Sequence, residues 1–252
     1  MKLLTLARDL RRRKARERQG LFVCEGVRTV EELLRSGIEP VGAVVGPQLA
    51  STPRGAELRA ALDRRGVTSL DVGESELASA AETESPQGVL VIARVPERTL
   101  DGVTPRDGLR LVVLDAVQDP GNAGTIVRTA AALGAAATVA LPGTADLWNA
   151  KVVRSAMGAH FHHPALAAGW DELEGFRKRH GVALWAADAA GADVEGVRAP
   201  ERLALVVGNE GSGLSDGARL RAERLVALPI APTVESLNVA VATGILLYLL
   251  RR

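Results

Sequence analysis

Three segments in the second half of the chain place polar side chains in otherwise apolar surroundings. The first, residues 115–134, reads DAVQDPGNAGTIVRTAAALG and contains Asn122 and Arg128. Pro120 and Gly121 favour a tight turn, after which Asn122 is a candidate helix N-cap. A guanidinium among small apolar residues needs an anion or a carbonyl as partner, unless its stem lies on the core and its head reaches water. Arg128 is therefore a candidate ligand-binding residue.

The second segment, residues 206–215, reads VVGNEGSGLS and surrounds Glu210 with glycines directly after a predicted strand. Glycines such as Gly208 let a backbone approach a ligand closely, and they also form ordinary turns. The spacing is neither the dinucleotide-binding fingerprint nor a P-loop. This absence argues against a nucleotide-cofactor oxidoreductase.

The third segment, residues 228–250, places Ser236 and Asn238 at the start of the most apolar helix in the sequence. Both residue types favour helix caps, which is one interpretation of their position. Two polar groups beside an apolar helix are also typical of a site for a polar ligand group.

A parallel sheet is predicted to position these three segments. The continuous apolar stretches that predict its strands are residues 111–114, 138–141, 182–186, 203–207 and 225–228. A turn at residues 119–124 is predicted to lead into a helix that runs to about residue 133, and further helices are predicted near residues 147–155, 171–180, 215–222 and 238–250. Apolar strands alternating with helices indicate an α/β fold with both sheet faces covered. Ligands of such sheets bind beyond the carboxyl ends of the strands, where the three segments begin.

The first half of the chain predicts a smaller α/β domain. Its predicted helices are residues 3–18, 29–36, 56–65 and 74–81, and its strands are residues 21–25, 41–45, 68–72 and 88–94. Two prolines and two glycines in an aperiodic stretch indicate a linker. We therefore predict a domain at residues 1–95, a linker at 96–110 and a second domain at 111–252.

Composition narrows the class of protein further. Of the 252 residues 47% are hydrophobic and 24% charged, which is typical of a globular protein, and no apolar stretch is long enough to cross a membrane. The single cysteine, Cys24, fits a reducing compartment, so we predict a cytoplasmic location. Residues 1–18 carry eight basic and two acidic residues. Such a cluster, with Arg11, Arg12 and Arg13 at its centre, attracts a polyanion such as RNA, although a solvated basic helix has the same composition.

The four histidines suggest a metal site, because three of them cluster at residues 160–163. The cluster lacks a cysteine or a carboxylate at a usual ligand spacing, and we predict no metal. We expect these histidines to line an RNA-binding or dimer surface together with Lys151 and Arg154.

Taken together, the three segments resemble the three signature motifs of the SpoU (TrmH-like) family of RNA 2′-O-methyltransferases, in the family's order. The residues that match are the spacing from Asn122 to Arg128, the glycine-flanked Glu210 and the Ser-Leu-Asn triplet at 236–238. The first half more loosely resembles the family's RNA-binding domain, in its basic first helix and in Pro86-Gln87-Gly88 before its last strand.

The resemblance implies a trefoil-knotted C-terminal methyltransferase domain and an N-terminal domain with the L30e-like fold of a ribosomal protein. It implies a homodimer with active sites at the subunit interface, and S-adenosylmethionine as cofactor. The cofactor would lie against the positions Gly208, Leu228, Ile230 and Leu237, with Val207 and Asn209 beside them. Arg128 would act on the ribose hydroxyl, and Asn122, Glu210, Ser236 and Asn238 would support the cofactor, the RNA and the loops.

The substrate implied by the two-domain layout is structured RNA, and 23S ribosomal RNA more than transfer RNA. Arg11, Arg12, Arg13 and Arg154 are the expected RNA-binding residues. A transfer-RNA enzyme, or an RNA-binding protein that has lost catalysis on the same scaffold, are the alternatives. The intact motif residues disfavour the second of these.

Overall fold

A computed structural model describes residues 3–251, so Lys2 of the predicted basic cluster lies outside the described residues. The described chain forms two compact units. Unit 1 contains residues 3–97 together with Trp148–His162, and unit 2 contains Arg98–Leu147 and residues 163–251. Each is an α/β structure, as predicted.

Unit 1 is built on a four-stranded mixed sheet. Its strands are β1 (Leu21–Glu25), β2 (Pro40–Val45), β3 (Ser69–Asp71) and β4 (Val89–Arg94), in the order β1-β4-β2-β3. Strand β4 is antiparallel to β1 and β2, and β3 is parallel to β2. Successive residues of β1 enter opposite cores, since Phe22 and Cys24 join one cluster while Leu21 and Val23 join the other. Both faces of the sheet are therefore covered.

Among the described residues, seven α-helices belong to unit 1, besides a 3₁₀ helix at Pro47–Ser51. They are α1 (Leu3–Asp9), α2 (Arg13–Gln19), α3 (Val27–Arg35), α4 (Pro53–Arg64), α5 (Glu74–Ala80), α7 (Ala150–Ser155) and α8 (Ala159–His162). The last two come from the second half of the chain, and Val153 and Phe161 bring them into the core around Phe22. The Phe22 ring lies 4.6 Å from the Trp148 ring between centroids, so this inserted segment completes one face of the unit 1 sheet.

The prediction of one basic helix over residues 3–18 was wrong, because the structure has α1 and α2 with a break between them. Arg16 explains the break. Its guanidinium is buried and donates to the backbone carbonyls of Leu10 and Arg11, each at 2.8 Å. These carbonyls follow the end of α1 and would otherwise need another partner. Part of the basic cluster therefore stabilises the fold.

Unit 2 contains a six-stranded sheet in which every pairing is parallel, as predicted. Its strands are β5 (Arg110–Leu114), β6 (Ala137–Ala140), β7 (Ala165–Ala167), β8 (Ala183–Asp193), β9 (Leu203–Val207) and β10 (Arg224–Ala227). Their spatial order is β10-β8-β9-β5-β6-β7. Sequence analysis missed the short β7, and β8 continues seven residues past its predicted end at Ala186 because Val226 and Ala227 of β10 pair with Ala192 and Asp193.

The described part of unit 2 contains four α-helices and a 3₁₀ helix at Leu100–Gly102. They are α6 (Pro120–Ala132), α9 (Trp170–His180), α10 (Asp216–Arg221) and α11 (Val239–Leu250). Helices α6 and α11 pack against each other, and a Cβ added at Gly244 of α11 would lie 3.2 Å from Thr129 of α6. The glycine thus allows the two helices to approach closely at their crossing. No helix within residues 3–251 is both long and apolar enough to cross a membrane.

The prediction that the clustered histidines line a surface was wrong for two of the three. His160 is fully buried in unit 1, and His163 is 5% exposed in unit 2. The His163 Nε2 atom lies 2.9 Å from the Thr138 hydroxyl, and burial together with the nearby charge of Arg98 lowers the pKa of His163 to about 4. His163 is therefore a neutral core residue near pH 7. The trefoil knot and the L30e-like fold stay predictions.

Candidate active site

The first and second motif segments meet because their strands are neighbours. Leu114 of β5 is paired with Val207 of β9, and the next residue, Asp115, donates its N–H to the Val207 carbonyl at 2.9 Å. The sheet continues through β6 and β7 on one side of this pair and through β8 and β10 on the other. A reversal of strand order at the carboxyl edge creates the crevice in which α/β proteins bind ligands.

Helix α6 begins one turn earlier than predicted. Its N-cap is Asp119, whose carboxylate accepts the Asn122 N–H at 2.8 Å, so the prediction of Asn122 as N-cap was wrong. Asp119 is followed by Pro120, and an acidic cap before a proline at the first helical position was the sequence signal for this start. The Asn122 side chain is consequently available for contacts outside its own helix.

Glu210 lies opposite the start of α6. Its carboxylate accepts the Asn122 amide at 3.0 Å, the Gln118 N–H at 3.1 Å and the Asp119 N–H at 3.2 Å. Partial burial opposes ionisation, but hydrogen bonds from Asn122 and from backbone N–H groups outweigh it and lower the pKa of Glu210. An ionised carboxylate near a helix N-terminus is also stabilised by the helix dipole.

Asn238 connects the third segment to the same cluster. It caps α11, where its side-chain oxygen accepts the N–H groups of Ala240 and Val241. Its amide donates to the Asn122 side-chain oxygen at 2.9 Å. The cap interpretation is therefore confirmed for Asn238 but not for Ser236, and the Asn238 side chain also reaches the other motifs. A chain of hydrogen bonds from Asn238 through Asn122 to Glu210 joins all three segments.

Arg128 lies on the open face of α6. It is exposed, while its neighbours Ile126 and Val127 are fully buried. Among residues 3–251, no hydrogen bond or ion pair involves its guanidinium. Five donors that the fold leaves unused are available for a phosphate or for a ribose hydroxyl.

The glycine-rich segment is held by Asn209 and by one close backbone approach. The Asn209 amide donates to the Ala116 carbonyl at 2.8 Å, and its side-chain oxygen accepts the N–H groups of Gly211 and Ser212. A Cβ at Gly208 would lie 2.4 Å from the Gly213 carbonyl carbon, so no other residue fits at position 208. Val207, at the end of β9, is buried.

Three polar residues that sequence analysis did not select hold this edge of the sheet together. The buried carboxylate of Asp115 accepts from the Ser215 backbone N–H at 2.7 Å and from the Ser215 hydroxyl at 3.1 Å. The buried Thr144 hydroxyl donates to the Leu114 carbonyl at 2.9 Å, which adds the loop after β6 to the site. The position of Asp115 directly after a buried strand was a usable signal, whereas nothing in the sequence near Thr144 distinguishes it.

Residues 228–237 form an irregular loop that exposes apolar side chains and has few backbone hydrogen bonds of its own. Ile230 and Leu237 are more than a third exposed, and Leu228 is half-buried. Among the described residues one backbone hydrogen bond lies within the loop, from Val234 N–H to the Ala231 carbonyl. The other N–H and C=O groups of the loop are available to a ligand. Ser236 is exposed, with no side-chain hydrogen bond to another described residue.

The four expected RNA-binding arginines, Arg11, Arg12, Arg13 and Arg154, all lie in unit 1. Arg11 donates to the Ser79 carbonyl, Arg12 contacts Asp9, and Arg13 forms a 2.7 Å ion pair with Glu17. All three remain exposed. Arg154 is partly buried, with one guanidinium nitrogen 3.8 Å from the Glu25 carboxylate.

Comparison with known families identifies both parts of the chain. Residues 110–248 match the SpoU rRNA Methylase family, and residues 5–91 match the MRM3-like substrate binding domain. The chain belongs to the SpoU rRNA methylase family. It is 36% identical over 246 residues to the Bacillus subtilis (strain 168) protein named 23S rRNA (guanosine(2553)-2'-O)-methyltransferase RlmP, covering 97% of this chain and 94% of that protein.

Solved structures of SpoU methyltransferases have the same fold over nearly the whole chain. AviRb from Streptomyces viridochromogenes, in complex with the cofactor AdoMet, aligns with a TM-score of 0.89 and 28% identity over 98% of this chain and 95% of that one. An AdoMet-bound rRNA methyltransferase from Sinorhizobium meliloti aligns with a TM-score of 0.86 and 30% identity, covering 98% and 93%. The α/β fold with a parallel sheet is therefore that of the SpoU structures.

The role of Glu210 can be tested by Glu210→Gln, which removes the charge and replaces one acceptor atom by a donor. We expect the melting temperature to fall by about 2–4 °C near pH 7, as for a loss of ~1 kcal/mol from a partly solvated charged hydrogen bond. Because the pKa of Glu210 is lowered, its contribution is present above the carboxyl's unfolded pKa and is lost as pH falls through the folded pKa.

Thermal unfolding of both proteins between about pH 6 and pH 3 is the measurement, and the difference in melting temperature should shrink towards the acidic end. Glu195→Gln, at an exposed position outside the site, is the matched control. A difference that is constant with pH would contradict the ionised role of Glu210.

Proposed function

We propose that this SpoU family member transfers a methyl group from S-adenosylmethionine to a ribose 2′-hydroxyl of 23S ribosomal RNA. The observation that carries the proposal is the hydrogen-bonded chain of Asn238, Asn122 and Glu210, which joins the three motif segments. The helix that begins there also carries Arg128, whose guanidinium has no partner among residues 3–251. Named relatives and AdoMet-bound structural neighbours support the activity and the cofactor.

The cofactor, when bound, supplies an activated methyl group on a sulfonium, so the chain needs no metal or redox group for this step. Gly208 allows close backbone approach at one wall of the site, and Leu228, Ile230 and Leu237 offer apolar surface at another. The hydrogen bond between the Asn122 and Asn238 side chains fixes the positions of the two segments relative to each other. The protein has to align the ribose 2′-hydroxyl with the methyl group of the cofactor. Such alignment can lower the activation free energy as much as a catalytic side chain does.

Arg128 is the residue of this chain that we assign to the RNA. A guanidinium keeps its proton in water and is a poor base, so we assign it the holding of a phosphate and the polarising of the 2′-hydroxyl. Proton loss then accompanies methyl transfer. The planar fork of arginine suits a phosphate and a hydroxyl at once, which the single ammonium of a lysine does not.

The choice of 23S ribosomal RNA over transfer RNA rests on the first half of the chain. Residues 5–91 match a substrate binding domain, and the 36% identical relative named for 23S rRNA covers this half as well. An RNA-binding protein without catalysis is the alternative of another class, and the intact motif residues disfavour it. We propose a cytoplasmic location, since the substrate is a ribosomal RNA.

The catalytic role of Arg128 predicts that Arg128→Ala reduces methyl transfer by about 100-fold or more, since it removes a transition-state contact. Arg128→Lys should also fail. S-adenosylmethionine affinity, measured by calorimetry, should stay within a few-fold of the unsubstituted protein, because Arg128 faces the RNA. Arg198→Ala, at another exposed arginine of unit 2, is the control. Activity above about a tenth of normal in Arg128→Ala would exclude the role.

We also propose that the protein is a homodimer whose active sites lie at the subunit interface. Helix α11 buries Ala240, Thr243, Leu246, Leu247 and Leu250 against its own unit. Its other side exposes Val241, Ile245, Tyr248 and Leu249 between 41% and 54%. An apolar helix face of this kind needs a cover. The loop before α11, which we assign to cofactor binding, also exposes the apolar side chains of Ile230, Val234 and Leu237.

Of the two leucines near the end of α11, Leu246 is 1% exposed within its own unit and cannot face a partner, whereas Leu249 is 42% exposed. Leu249 is the residue that tests the interface. Leu249→Glu should shift the protein from dimer to monomer in sedimentation and lower methyl transfer in parallel, since a buried unpaired charge is strongly destabilising. Leu220→Glu makes the same change at a position that is 86% exposed on α10, and should do neither. An active monomer at micromolar concentration would refute the proposal.

Unit 1 is proposed to bind the RNA, partly through Arg11, Arg12 and Arg13. Replacing all three by glutamine should weaken binding of a 23S rRNA transcript and lower the slope of log affinity against log salt by about 2. The change falls short of the full charge count because Arg12 and Arg13 have acidic neighbours. Arg64→Gln with Arg65→Gln is the control on α4, and an equal loss of slope there would show only a general charge effect.

A further inference from the structure

Unit 1 contains a cavity of about 590 Å³ that none of the motif residues of unit 2 enters. Its wall is formed by the end of β1, the first turn of α3, the segment before α4, the segment before β4, and α7 with the turn after it. The volume is within the range of small-ligand sites. Its lining is mostly polar or charged, and it includes no aromatic side chain.

Two residues that line this cavity each have one buried polar side-chain atom without a hydrogen-bond partner among residues 3–251. These atoms are the side-chain oxygen of Gln48 and one guanidinium nitrogen, Nη1, of Arg154. Folding removes both atoms from water and leaves an acceptor and a donor unsatisfied, which is unfavourable unless a ligand satisfies them. An acceptor and a charged donor at one cavity indicate a ligand that has both N–H groups and a negative charge.

Charge at the cavity favours an anion. Three guanidinium groups line it, from Arg28, Arg54 and Arg154. Arg54 forms two hydrogen bonds with Glu31, whereas Arg28 is exposed and makes no hydrogen bond or ion pair with another described residue.

The one carboxylate in the lining is already satisfied within the fold. Glu25 is buried and accepts from the backbone N–H groups of Glu82 and Thr83 and from the Thr83 hydroxyl. Its nearest approach to Arg154 is 3.8 Å, which is an ion pair without a hydrogen bond. Positive charge at the cavity is therefore only partly neutralised.

The backbone around the cavity adopts conformations that are unfavourable for most residues. Gly88 has φ +86°, and a Cβ there would lie 2.2 Å from the Leu49 backbone nitrogen. Gly26, with φ +93°, stands before α3, whose Val27 N–H is accepted by the Gln87 side chain. Met157 has φ +52°, which is costly for a residue with a side chain. The two glycines adopt these angles without strain, so Met157 is the strained residue here, and a strained residue beside a cavity is typical of ligand sites.

We propose that this cavity binds one unpaired nucleotide of the RNA substrate, flipped out of its stack, at a distance in sequence from the ribose that is methylated. The proposal rests on the proposed RNA substrate and adds a second recognition point to it. Arg28 and Arg154 hold the phosphate, and the Gln48 oxygen accepts a ring N–H or an exocyclic amine of the base. With no aromatic lining, the base is held by its hydrogen-bonding edge and by guanidinium planes.

The Gln48 oxygen is the feature that separates a nucleotide from a bare anion. Inorganic phosphate near neutral pH offers acceptors to the arginines and one or two O–H groups, but it lacks the N–H edge of a base. Every nucleobase carries at least one N–H on its pairing edge, so a nucleotide satisfies both unpartnered atoms at once. A folded RNA that presents single-stranded loops supplies such bases, whereas a duplex conceals them.

Titration of the full-length protein with the four ribonucleoside 5′-monophosphates, with ribose 5-phosphate and with inorganic phosphate, followed by NMR, tests the proposal. At least one monophosphate nucleotide should bind about tenfold more tightly than either base-free probe. Gln48→Leu should abolish that preference and leave phosphate binding unchanged. Arg28→Gln should weaken all three kinds of probe by about tenfold, and Arg64→Gln, outside the cavity, should change none.

Thermal unfolding distinguishes a ligand-binding role of Gln48 from a purely structural role. Gln48→Leu removes an unsatisfied buried acceptor at similar volume, so its melting temperature should equal or exceed that of the unsubstituted protein. In methyl transfer to 23S rRNA the same variant should raise the KM for RNA by about tenfold and leave kcat and S-adenosylmethionine affinity unchanged.

Several results would overturn the proposal. They are nucleotides that bind no more tightly than phosphate, Gln48→Leu with unchanged nucleotide preference, or a phosphoserine peptide that binds as tightly as the best nucleotide. Methyl transfer to 23S rRNA that is indifferent to both cavity substitutions would refute the cavity and leave the proposed function intact. Nucleotide binding in a protein that methylates no ribosomal RNA would do the reverse.

Discussion

The carboxamide of Asn122 is the group on which the arrangement of the motif loops depends. It donates to Glu210 and accepts from Asn238, so one planar group binds a carboxylate on one side and an amide on the other. Only a side chain with both a donor and an acceptor can do this, since an aspartate would repel Glu210 and a leucine would contact neither. The loops after β5, β9 and β10 have no regular structure of their own, and this link gives them a common position.

Some parts of the fold could be predicted from the sequence and others could not, for physical reasons. The parallel sheet of unit 2 could be predicted because continuous apolar strands between helices admit few other folds. The meeting of Asn122 with Glu210 followed from the rule that parallel strands end at one edge. Positions of helix ends could not be read as well, because Asp119 and Asn122 are both good caps and only the proline after Asp119 distinguishes them.

The burial of individual polar and charged side chains was the property that the sequence predicted least well. His160 and His163 resemble surface residues in a sequence that contains Lys151 and Arg154 nearby, yet both are buried. Arg16 resembles its basic neighbours and is buried as well, because its guanidinium serves two carbonyls. Charge counts over a short window therefore overstate how much charge is free for a partner. The cavity of unit 1 was invisible in the sequence, since its lining comes from five separate stretches of chain.

Because the segment Trp148–His162 belongs to unit 1, unit 1 cannot finish folding until this later part of the chain has been synthesised. A polypeptide emerges from the ribosome amino end first, at about 5–20 residues per second. The face of the unit 1 sheet that contains Phe22 is complete only when Trp148 and Phe161 have been added, after β5, α6 and β6 of the other unit have been made. For several seconds of each synthesis this aromatic surface is without its final cover. The nascent chain must then avoid aggregation on the same particle whose RNA its finished form is proposed to modify.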